Sequence, residues 1–374
     1  MCFNSDDVMN ELVKKISVTA KEIGVAFPHS EHEGKYDNMP SHWWTNGFWG
    51  GIMWLMYDQT KDDFYRETAE AIERVLDEPL YDYFHLHHDV GFMWLLTSGY
   101  NYKFTKNENS RRRLLHTANL LAGRFNIKGN FIRAWNDDDW AEPNKGWAII
   151  DCMMNIPLLY WASNEIGDPR YRHIAMAHCD TVLKNFIDDD GAVRHICSFN
   201  PETGEFIEAF SGQGYAPDSA WSRGASWAIY GFAMAYGFTH EERYLEASKK
   251  VSKFFMEHLN DDDVPCWDFR APNKEITDTS AAACAASGMI ELSKYVDDGE
   301  YYINCAKRIL SSLCKNYSNF NNDSQAVLNS ATGHFPGNVN VMVGLIYGDY
   351  YFTEAIKKLN DKDFELPWSD IQTN

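Results

Sequence analysis

Two kinds of helical segment alternate along the chain. The first kind is amphipathic: an acidic residue is followed three positions later by Tyr and four further on by a small residue, with apolar residues at i, i+3 and i+4. This period places the apolar residues on one face of a helix and the acid near its positive N-terminal end. Clear copies begin at Asp62, Asp168, Glu241 and Asp298, a degenerate copy begins at Glu108, and NELVKKISVTAKEI is the earliest segment of this kind.

The second kind is apolar or small on nearly every face, which is typical of a buried helix. Gly, Ala and Ser within these segments allow neighbouring helices to approach closely. Six such segments lie between the amphipathic ones: NGFWGGIMWLMYDQT, HHDVGFMWLLTSGYNY, WAIIDCMMNIPLLYWASNEI, SRGASWAIYGFAMAYGFT, TSAAACAASGMIELSKYV and YGDYYFTEAIKKL.

Neither kind of helix can bury its apolar surface alone, so twelve alternating helices predict a closed double ring with the apolar helices inside. We therefore predict an all-α fold, an (α/α)6 barrel or six-hairpin toroid, with one domain over residues 1–374. No alternation of strand and helix competes with this interpretation. A short hairpin is predicted within GAVRHICSFNPETGEFIEAF, where a turn signal separates two stretches of period two.

Composition is consistent with a large core, since 45% of the 374 residues are hydrophobic and 15% are aromatic. No run reaches the roughly 18 to 20 apolar residues that cross a bilayer, and the first residues lack the pattern of a secretory signal. We expect a soluble, cytoplasmic protein.

The cysteines form no CxxC pair and are expected to be reduced, buried thiols. They are Cys2, Cys152, Cys179, Cys197, Cys266, Cys284, Cys305 and Cys314.

The formal net charge of −20 repels nucleic acid and anionic membrane surfaces, so we expect neither as a partner. The charge also disfavours a long polyanion. An acidic ligand would have to be short and would meet a few local Arg and His side chains. We expect a monomer or a weak homo-oligomer.

Inner helices of such a ring converge on a central cavity, and the loops that lead into them form its mouth. Polar residues at the starts of the inner helices are therefore the candidates for chemistry. Asp278 and Asp349 are more simply explained as helix N-caps. The full set is His87, His88, Asp89, Asp151, Trp221, Arg223, Asp278 and Asp349.

Two of these carboxylates stand out. Asp151 lies within WAIIDCMMNIPLLYW, predicted to be an apolar helix, and burial there should raise its pKa toward that of a general acid. The structural alternative is a buried Asp bonded to a backbone amide or to Asn155. Asp89 follows two histidines, whose imidazoles are expected to keep it ionised, so that the two carboxylates have different pKa values.

Other chemistries are disfavoured by their missing motifs. The spacing of His85, His87 and His88 is not that of a zinc-binding HExxH helix. The chain also has no GxSxG motif of a serine nucleophile, no GxxxxGK motif of a phosphate-binding loop and no GxGxxG motif of a dinucleotide-binding fold. We expect no metal and no cofactor. Tryptophans near the predicted mouth could stack on sugar rings. Core packing is the alternative, and it is favoured for Trp49 and Trp54 over Trp44, Trp135 and Trp221.

Several motifs occur together in one order: WWTNGFWGGIMW, HHDVGF, RAWN, IIDCMMNIPLLYWAS, GQGYAPDSAWSRGASWAIYGF, CWDF, TDTSAAACAASGMIEL and IYGDYYFTEAI. In this the chain resembles the unsaturated glucuronyl hydrolases of glycoside hydrolase family 88, from about Phe27 to about Leu359. The patterns HHDxGF, IIDCxxNxPLL and WxRGxxWxIYGF are specific as a set.

The resemblance implies an (α/α)6 barrel that needs no cofactor. It implies action on short oligosaccharides that polysaccharide lyases leave from hyaluronan, chondroitin, heparin-type chains or gellan- and xanthan-like polymers. The catalytic acid of the family falls on Asp151 and its second Asp on Asp89, and Arg223 with Gln213 could hold the uronate carboxylate. The family's substrate contacts fall on Trp44, His88, Trp135, His195, Gln213, Trp221, Arg223 and Trp227.

The reaction implied is hydration of the C4=C5 double bond of a terminal unsaturated glucuronic acid, with Asp151 protonating C4.

Relatives that favour sulfated chondroitin fragments carry a Ser- and Lys-containing loop before the last helix. Here SATGHFPGNVNVMVGLIYGDYY has no Lys, so that sulfate contact is not expected. Alternatives are an unsaturated rhamnogalacturonyl hydrolase, a sugar 2-epimerase on the same toroid, and a non-catalytic sugar-binding toroid.

Overall fold

The computed structural model describes residues 3–137, 143–321 and 323–368, and helices make up most of these ranges. Cys2 and the end of FIRAWNDDDW lie outside the described residues. The helices are α1 (Ser5–Ile23), α2 (Asn46–Thr60), α3 (Asp63–Val75), α4 (Asp77–Asp82), α5 (Val90–Trp94), α6 (Tyr100–Thr105), α7 (Glu108–Gly123), α8 (Pro157–Ile166), α9 (Pro169–Asn185), α10 (Ser222–Thr239), α11 (Glu242–Glu257), α12 (Thr279–Leu292), α13 (Gly299–Ser312) and α14 (Ile346–Asn360).

The predicted all-α double ring is confirmed. Helices α8, α10, α12, α14 and α2 contact one another in that order on the inside, and α5 packs against α2. The contact between α14 and α2 closes the ring because these are the last and first inner helices. Helix α12 is buried along its whole length, whereas α3 buries only a stripe that includes Tyr65, Ala69 and Ile72. This difference is what the two hydrophobic patterns predict.

The repeat of acid, Tyr and small residue holds structurally in most copies. Asp62 and Asp168 cap α3 and α9 through their carboxylates, which accept from backbone N–H groups two residues on. In the last copy the buried tyrosine differs: Tyr301 is half exposed and Tyr302 is buried. Helix α13 buries Tyr302 together with Cys305 and Ile309, so Cys305, the small residue of the repeat, faces inward as predicted and only the buried Tyr lies one position later.

Two of the predicted inner helices are interrupted. Residues 147–166 form a short strand, a 3-10 helix (Ile150–Met154) and then α8, not one helix. Pro157 explains the break, because Pro has no N–H to donate and suits the first turn of a helix. Residues 90–105 form α5, a π-helical turn (Leu95–Gly99) and α6, and Asp89 lies just before α5. Both candidate carboxylates therefore lie at irregular starts of inner helices.

The predicted hairpin is confirmed and belongs to a larger sheet. Strand β5 (Trp147–Ile149) pairs antiparallel with β6 (Ile196–Phe199), which pairs antiparallel with β7 (Phe206–Phe210). The register places Ile149 opposite Ile196, so the residue before Ile196 lies beside the turn that contains Asp151. The other strands form two small antiparallel pairs. The bounds are β1 (Glu31–His32), β2 (Lys35–Tyr36), β3 (Phe125–Asn126), β4 (Phe131–Ile132), β5 (Trp147–Ile149), β6 (Ile196–Phe199) and β7 (Phe206–Phe210).

Asp278 and Asp349 differ in their roles. Asp278 is the N-cap of α12, as expected, and accepts from the backbone N–H groups of Ser280 and Ala281. Asp349 lies inside α14 and is not its N-cap. Its carboxylate accepts from the backbone N–H groups of Val327 and Leu328 at 2.8 Å each and from the hydroxyl of Tyr36 at 2.7 Å. It holds a distant loop against the barrel because that loop has backbone donors to satisfy.

The seven cysteines in the described residues are free thiols, and all of them are buried except Cys314, which is partly buried. Among the same residues, none of the helices combines the length and the apolar character that a membrane crossing requires.

Candidate active site

Asp89 and Asp151 are both buried, with 7% and 9% of their surface exposed, and Asn155 connects them. The Asn155 side-chain amide donates to Asp89 Oδ1 at 3.0 Å and to the backbone carbonyl of Asp151 at 3.2 Å. Its oxygen accepts from the backbone N–H of Phe92 at 2.7 Å. Asn155 thus fixes the start of α5 relative to the 3-10 helix. It bonds the backbone carbonyl of Asp151 and not its carboxylate, so the form of the structural alternative that involves Asn155 is wrong, and the form that involves a backbone amide stays open.

The pKa values of the two carboxylates are both raised, chiefly by burial. Burial raises the pKa of Asp151 to about 6, although the positive charge of Arg223 opposes the rise. Burial and the neighbouring charge of Asp151 raise the pKa of Asp89 well above its ordinary value. The expectation for Asp151 agrees with the structure. The rise for Asp89, however, is opposite to the expectation that this carboxylate stays ionised.

The histidines explain why the expectation for Asp89 was wrong. Nδ1 of His87 lies 3.4 Å from Asp89 Oδ2, and Nε2 of His88 lies 3.5 Å from Asp89 Oδ1. Burial lowers the pKa of His87 to about 3 and that of His88 well below 6.5. Both rings are therefore neutral near pH 7 and bring no positive charge that would keep Asp89 ionised.

His195 approaches Asp151 from the adjoining strand. Its Nδ1 accepts from the backbone N–H of Gln213 at 2.9 Å, which leaves the proton of the neutral ring on Nε2. Burial lowers the pKa of His195 to about 3, so the ring is neutral. Nε2 lies 3.7 Å from Asp151 Oδ2. The ring also packs on Trp221, with 4.4 Å between centroids.

Four tryptophans surround the carboxylates and histidines; two of them are partly buried and two are almost fully buried. Trp135 stands edge-on to His88 and His195, at centroid distances of 6.5 and 6.4 Å, and it is only partly buried. Trp44 is also partly buried and lies 5.3 Å from the ring of Tyr347. Trp221 and Trp227 are almost fully buried and pack within the core. Trp44 and Trp135 are thus the two with surface left for a sugar ring.

Trp49 and Trp54 are core residues, as predicted, with 3% and 0% of their surface exposed.

The guanidinium of Arg223 is buried and committed to protein acceptors. Its Nη1 donates to Asp278 and to the carbonyl of Thr332, and its Nη2 donates to Gln213 Oε1 and to the carbonyl of Gly333. Of the five N–H groups of an arginine, these four bonds leave only Nε–H. Arg223 could bind a substrate carboxylate through two hydrogen bonds only if these replaced some of its existing bonds. The side-chain oxygen of Gln213 is occupied by Arg223, so this amide has its NH2 group to offer a ligand.

Two residues were missed as site residues. Tyr347 lies under both Trp44 and Arg223, whose guanidinium carbon is 5.4 Å from its ring centroid. It is the second residue of α14, so the same argument from inner-helix starts would have found it. His29 lies in the loop before α2, and its ring is 6.1 Å from that of Trp44. Its position depends on the fold and leaves no sequence signal.

The structure brings His87, His88 and Asp89 close enough for a metal ion, with ligand atoms within 4.8 Å of one another. The charge of Arg124 acts on all three residues, and Asp89 Oδ1 already accepts from Asn155. A nearby guanidinium repels a divalent cation. The donor set therefore fits a metal poorly.

Comparisons with known proteins identify the family of this chain. A family model described as Glycosyl Hydrolase Family 88 matches residues 18–364. The chain belongs to this family. A family 88 relative, the unsaturated glucuronyl hydrolase of Bacillus sp. strain GL1, is 33% identical over 348 residues, which cover 91% of this chain and 92% of the relative. The unsaturated chondroitin disaccharide hydrolase of Streptococcus pyogenes serotype M1 is 34% identical over 345 residues, which cover 90% and 86%.

Solved structures show the same toroid. The crystal structure of unsaturated glucuronyl hydrolase from Bacillus sp. GL1, described as responsible for the degradation of glycosaminoglycan, superposes with a TM-score of 0.94 at 30% identity. It covers 98% of this chain and 100% of that one. A variant of the Streptococcus agalactiae enzyme in complex with dGlcA-GalNAc6S superposes with a TM-score of 0.84 at 28% identity, over 97% and 93% of the two chains.

Proposed function

We propose that this family 88 glycosidase releases 4-deoxy-4,5-unsaturated glucuronic acid from the non-reducing end of short, lyase-generated glycosaminoglycan-type oligosaccharides. The observation that carries the proposal is Asp151: a buried carboxyl with a pKa of about 6, whose Oδ2 has no hydrogen-bond partner in the described residues. Such a group can hold a proton near neutral pH and deliver it to a substrate. The names of the relatives support the substrate class.

The first chemical step follows from the substrate's double bond. A C4=C5 bond conjugated to the ring oxygen is a vinyl ether, and its electron pair takes a proton at C4. Asp151 donates that proton and becomes a carboxylate. Positive charge then develops at C5 and is shared with the ring oxygen, where the new carboxylate can stabilise it.

Water completes the reaction. Its oxygen bonds to C5, and its proton returns to Asp151, which restores the acid for the next turnover. The product of this addition is a hemiketal at C5. Cleavage of the bond between C5 and the ring oxygen leaves a ketone at C5 and a hemiacetal at C1, which expels the partner sugar as an alcohol. The unpartnered Nε2–H of His195, facing Asp151 Oδ2, is placed to hold an oxygen of this water or of the substrate.

The other residues bind and orient the sugar. A protonated Asp89 can donate one hydrogen bond to a ring hydroxyl and accept another. The neutral ring of His88 has nitrogen atoms that can form a further hydrogen bond with the sugar. Trp44 and Trp135 supply apolar faces for the ring. The fixed charge of Arg223 attracts the uronate, and the NH2 group of Gln213 can donate to it. These assignments rest on the resemblance to the family together with the contacts described above.

The position of attack tests the proposal. Turnover in heavy water should place deuterium at C4 of the product, and methanol as co-solvent should give some adduct at C5. The absorbance of the unsaturated uronate should disappear with turnover, whereas an epimerase or a sugar-binding protein would leave it. A saturated glucuronide of the same linkage should be a far poorer substrate because it has no double bond to protonate. Methanol trapped at C1, or comparable turnover of the saturated compound, would show a conventional glycosidase with two carboxylates at the scissile bond.

A further inference from the structure

The loop between β7 and α10 carries Gln213, whose NH2 group is proposed to bind the uronate, and leads into Trp221, which packs on His195. Gln213 lies near the start of the loop and Trp221 at its end, directly before α10 and two residues before Arg223. Residues 211–220 form turns and bends without a helix or strand. A segment of this kind needs outside partners to hold one conformation, because its own backbone bonds are few.

Asp268 supplies those partners. Its Oδ2 accepts from the backbone N–H of Tyr215 at 2.9 Å and from the hydroxyl of Ser219 at 2.7 Å. Its Oδ1 accepts from the backbone N–H of Ala220 at 3.3 Å and of Arg270 at 2.9 Å. Three of the four donors thus belong to the loop that runs from Gln213 to Trp221.

The backbone beside Asp268 reinforces this anchor. Phe269 donates its N–H to the carbonyl of Ala220 at 2.8 Å, and Ser222 donates its N–H to the carbonyl of Trp267 at 3.2 Å. These bonds flank an antiparallel bridge between Trp221 and Asp268. The backbone of Trp221 is therefore held opposite that of Asp268.

The environment of Asp268 explains why its carboxyl group and the loop depend on each other. The residue is completely buried, and no ion pair with Lys, Arg or His is found for it among residues 3–137, 143–321 and 323–368. A buried carboxylate without a cation needs hydrogen-bond donors. The loop provides three of them, so the loop conformation and the stability of the carboxylate are linked.

We propose that Asp268 is a positioning residue that holds in place Gln213, which binds the substrate, and Trp221, on which the His195 ring packs. This inference rests on the proposed function for the roles of Gln213 and His195. Asp268 does not touch Asp89 or Asp151, so its loss should weaken substrate binding and leave the proton transfer intact. The signature is a rise in KM with little change in kcat.

The test is Asp268→Asn, which keeps the size of the side chain but turns one acceptor into an NH2 group facing N–H or O–H donors. We expect KM to rise by about tenfold and kcat to stay within about threefold, with an unchanged pH profile. Hydrogen exchange of residues 212–221 and of Arg270, whose backbone N–H also bonds to Asp268, should accelerate by about tenfold, and exchange elsewhere should not change. A folded variant with wild-type KM and wild-type exchange in this segment would overturn the proposal.

Glu73→Gln provides a matched control. Glu73 is also buried and accepts from Ser98 and Asn101, but it lies in the outer helix α3. Its replacement should leave KM within about twofold and accelerate exchange only around its own partners. If Glu73→Gln raises KM as much as Asp268→Asn, the effect is general destabilisation and the proposal fails.

Ser219→Ala decides the question if Asp268→Asn does not fold. It removes one of the four bonds to Asp268 and keeps the carboxylate. We expect KM to rise by roughly two- to fivefold with faster exchange in residues 212–221, and wild-type values of both would refute the proposal. If the wild-type protein itself does not act on unsaturated disaccharides, the proposed function fails, while the exchange comparison still tests the anchoring by Asp268.

Discussion

Nε2 of His195 lies 3.7 Å from Oδ2 of Asp151, and neither atom has a hydrogen-bond partner in the described residues. The separation is too long for a hydrogen bond. Buried polar atoms without partners usually bind water or a ligand. One oxygen atom between the two could accept from the imidazole N–H and bond to the carboxyl group. This pair is the place where we expect water or the substrate to meet the catalytic acid.

Replacement of Asp151 by Asn should lower kcat by roughly a thousandfold or more, because the change is nearly isosteric and removes the proton donor. Loss of the ultraviolet absorbance of an unsaturated disaccharide measures the rate, and circular dichroism checks the fold. Asp77→Asn is the control, since Asp77 bonds to Arg113 at the surface and should be dispensable. An Asp151→Asn variant with over a tenth of the wild-type rate would contradict the assignment.

Activity should fall as pH rises through about 6. Only the protonated form of Asp151 can donate, and burial sets its pKa at about 6, so the active fraction shrinks about tenfold for each pH unit above that value. The rate near pH 8 should therefore be about a hundredfold below the acidic plateau. Samples returned from pH 8 to pH 6 should recover, which excludes irreversible inactivation, and circular dichroism at pH 8 should show the folded protein. A rate that instead falls as pH drops through 6 would mean that Asp151 acts in its ionised form.

Activity should survive removal of metal ions. His87, His88 and Asp89 lie together, but Arg124 brings a positive charge to the cluster and Asn155 occupies one Asp89 oxygen. The measurement is turnover after dialysis against a chelator, with the metal content determined on the same sample. Loss of activity that zinc or manganese restores would assign the cluster to a metal.

Unsulfated disaccharides should be better substrates than those sulfated on C6 of the amino sugar, by on the order of tenfold in kcat/KM. The loop of residues 330–345 contains no Lys, and its Thr332 and Gly333 carbonyls already bind Arg223. Burial lowers the pKa of His334, so this residue adds no charge near pH 7.

A pair of disaccharides that differ only in the sulfate, measured at low and high salt, tests this prediction. Added salt should reduce the difference in kcat/KM between the two disaccharides if repulsion between the sulfate and the acidic protein causes that difference. Faster turnover of the 6-sulfated compound would show that a cation outside this loop meets the sulfate.

The sequence alone predicted the architecture, which the structure confirms, and it singled out the two candidate carboxylates. The alternation of amphipathic and all-apolar segments predicts the two rings, because each period fixes which faces of a helix must be buried. Asp89 and Asp151 could be singled out since each is an acid beside a strongly apolar inner segment. The break before Pro157 was also readable in principle, as Pro cannot donate within a helix.

Only the tertiary structure decided how these carboxylates behave. Burial leaves His87 and His88 neutral and raises the pKa of Asp89, contrary to the expectation from their adjacency in sequence. The pairing of β5 with β6 brings His195 to Asp151, and four protein acceptors surround Arg223. Hydrophobic periodicity is a local property of the chain, whereas desolvation and hydrogen-bond partners depend on residues that meet only when the ring closes.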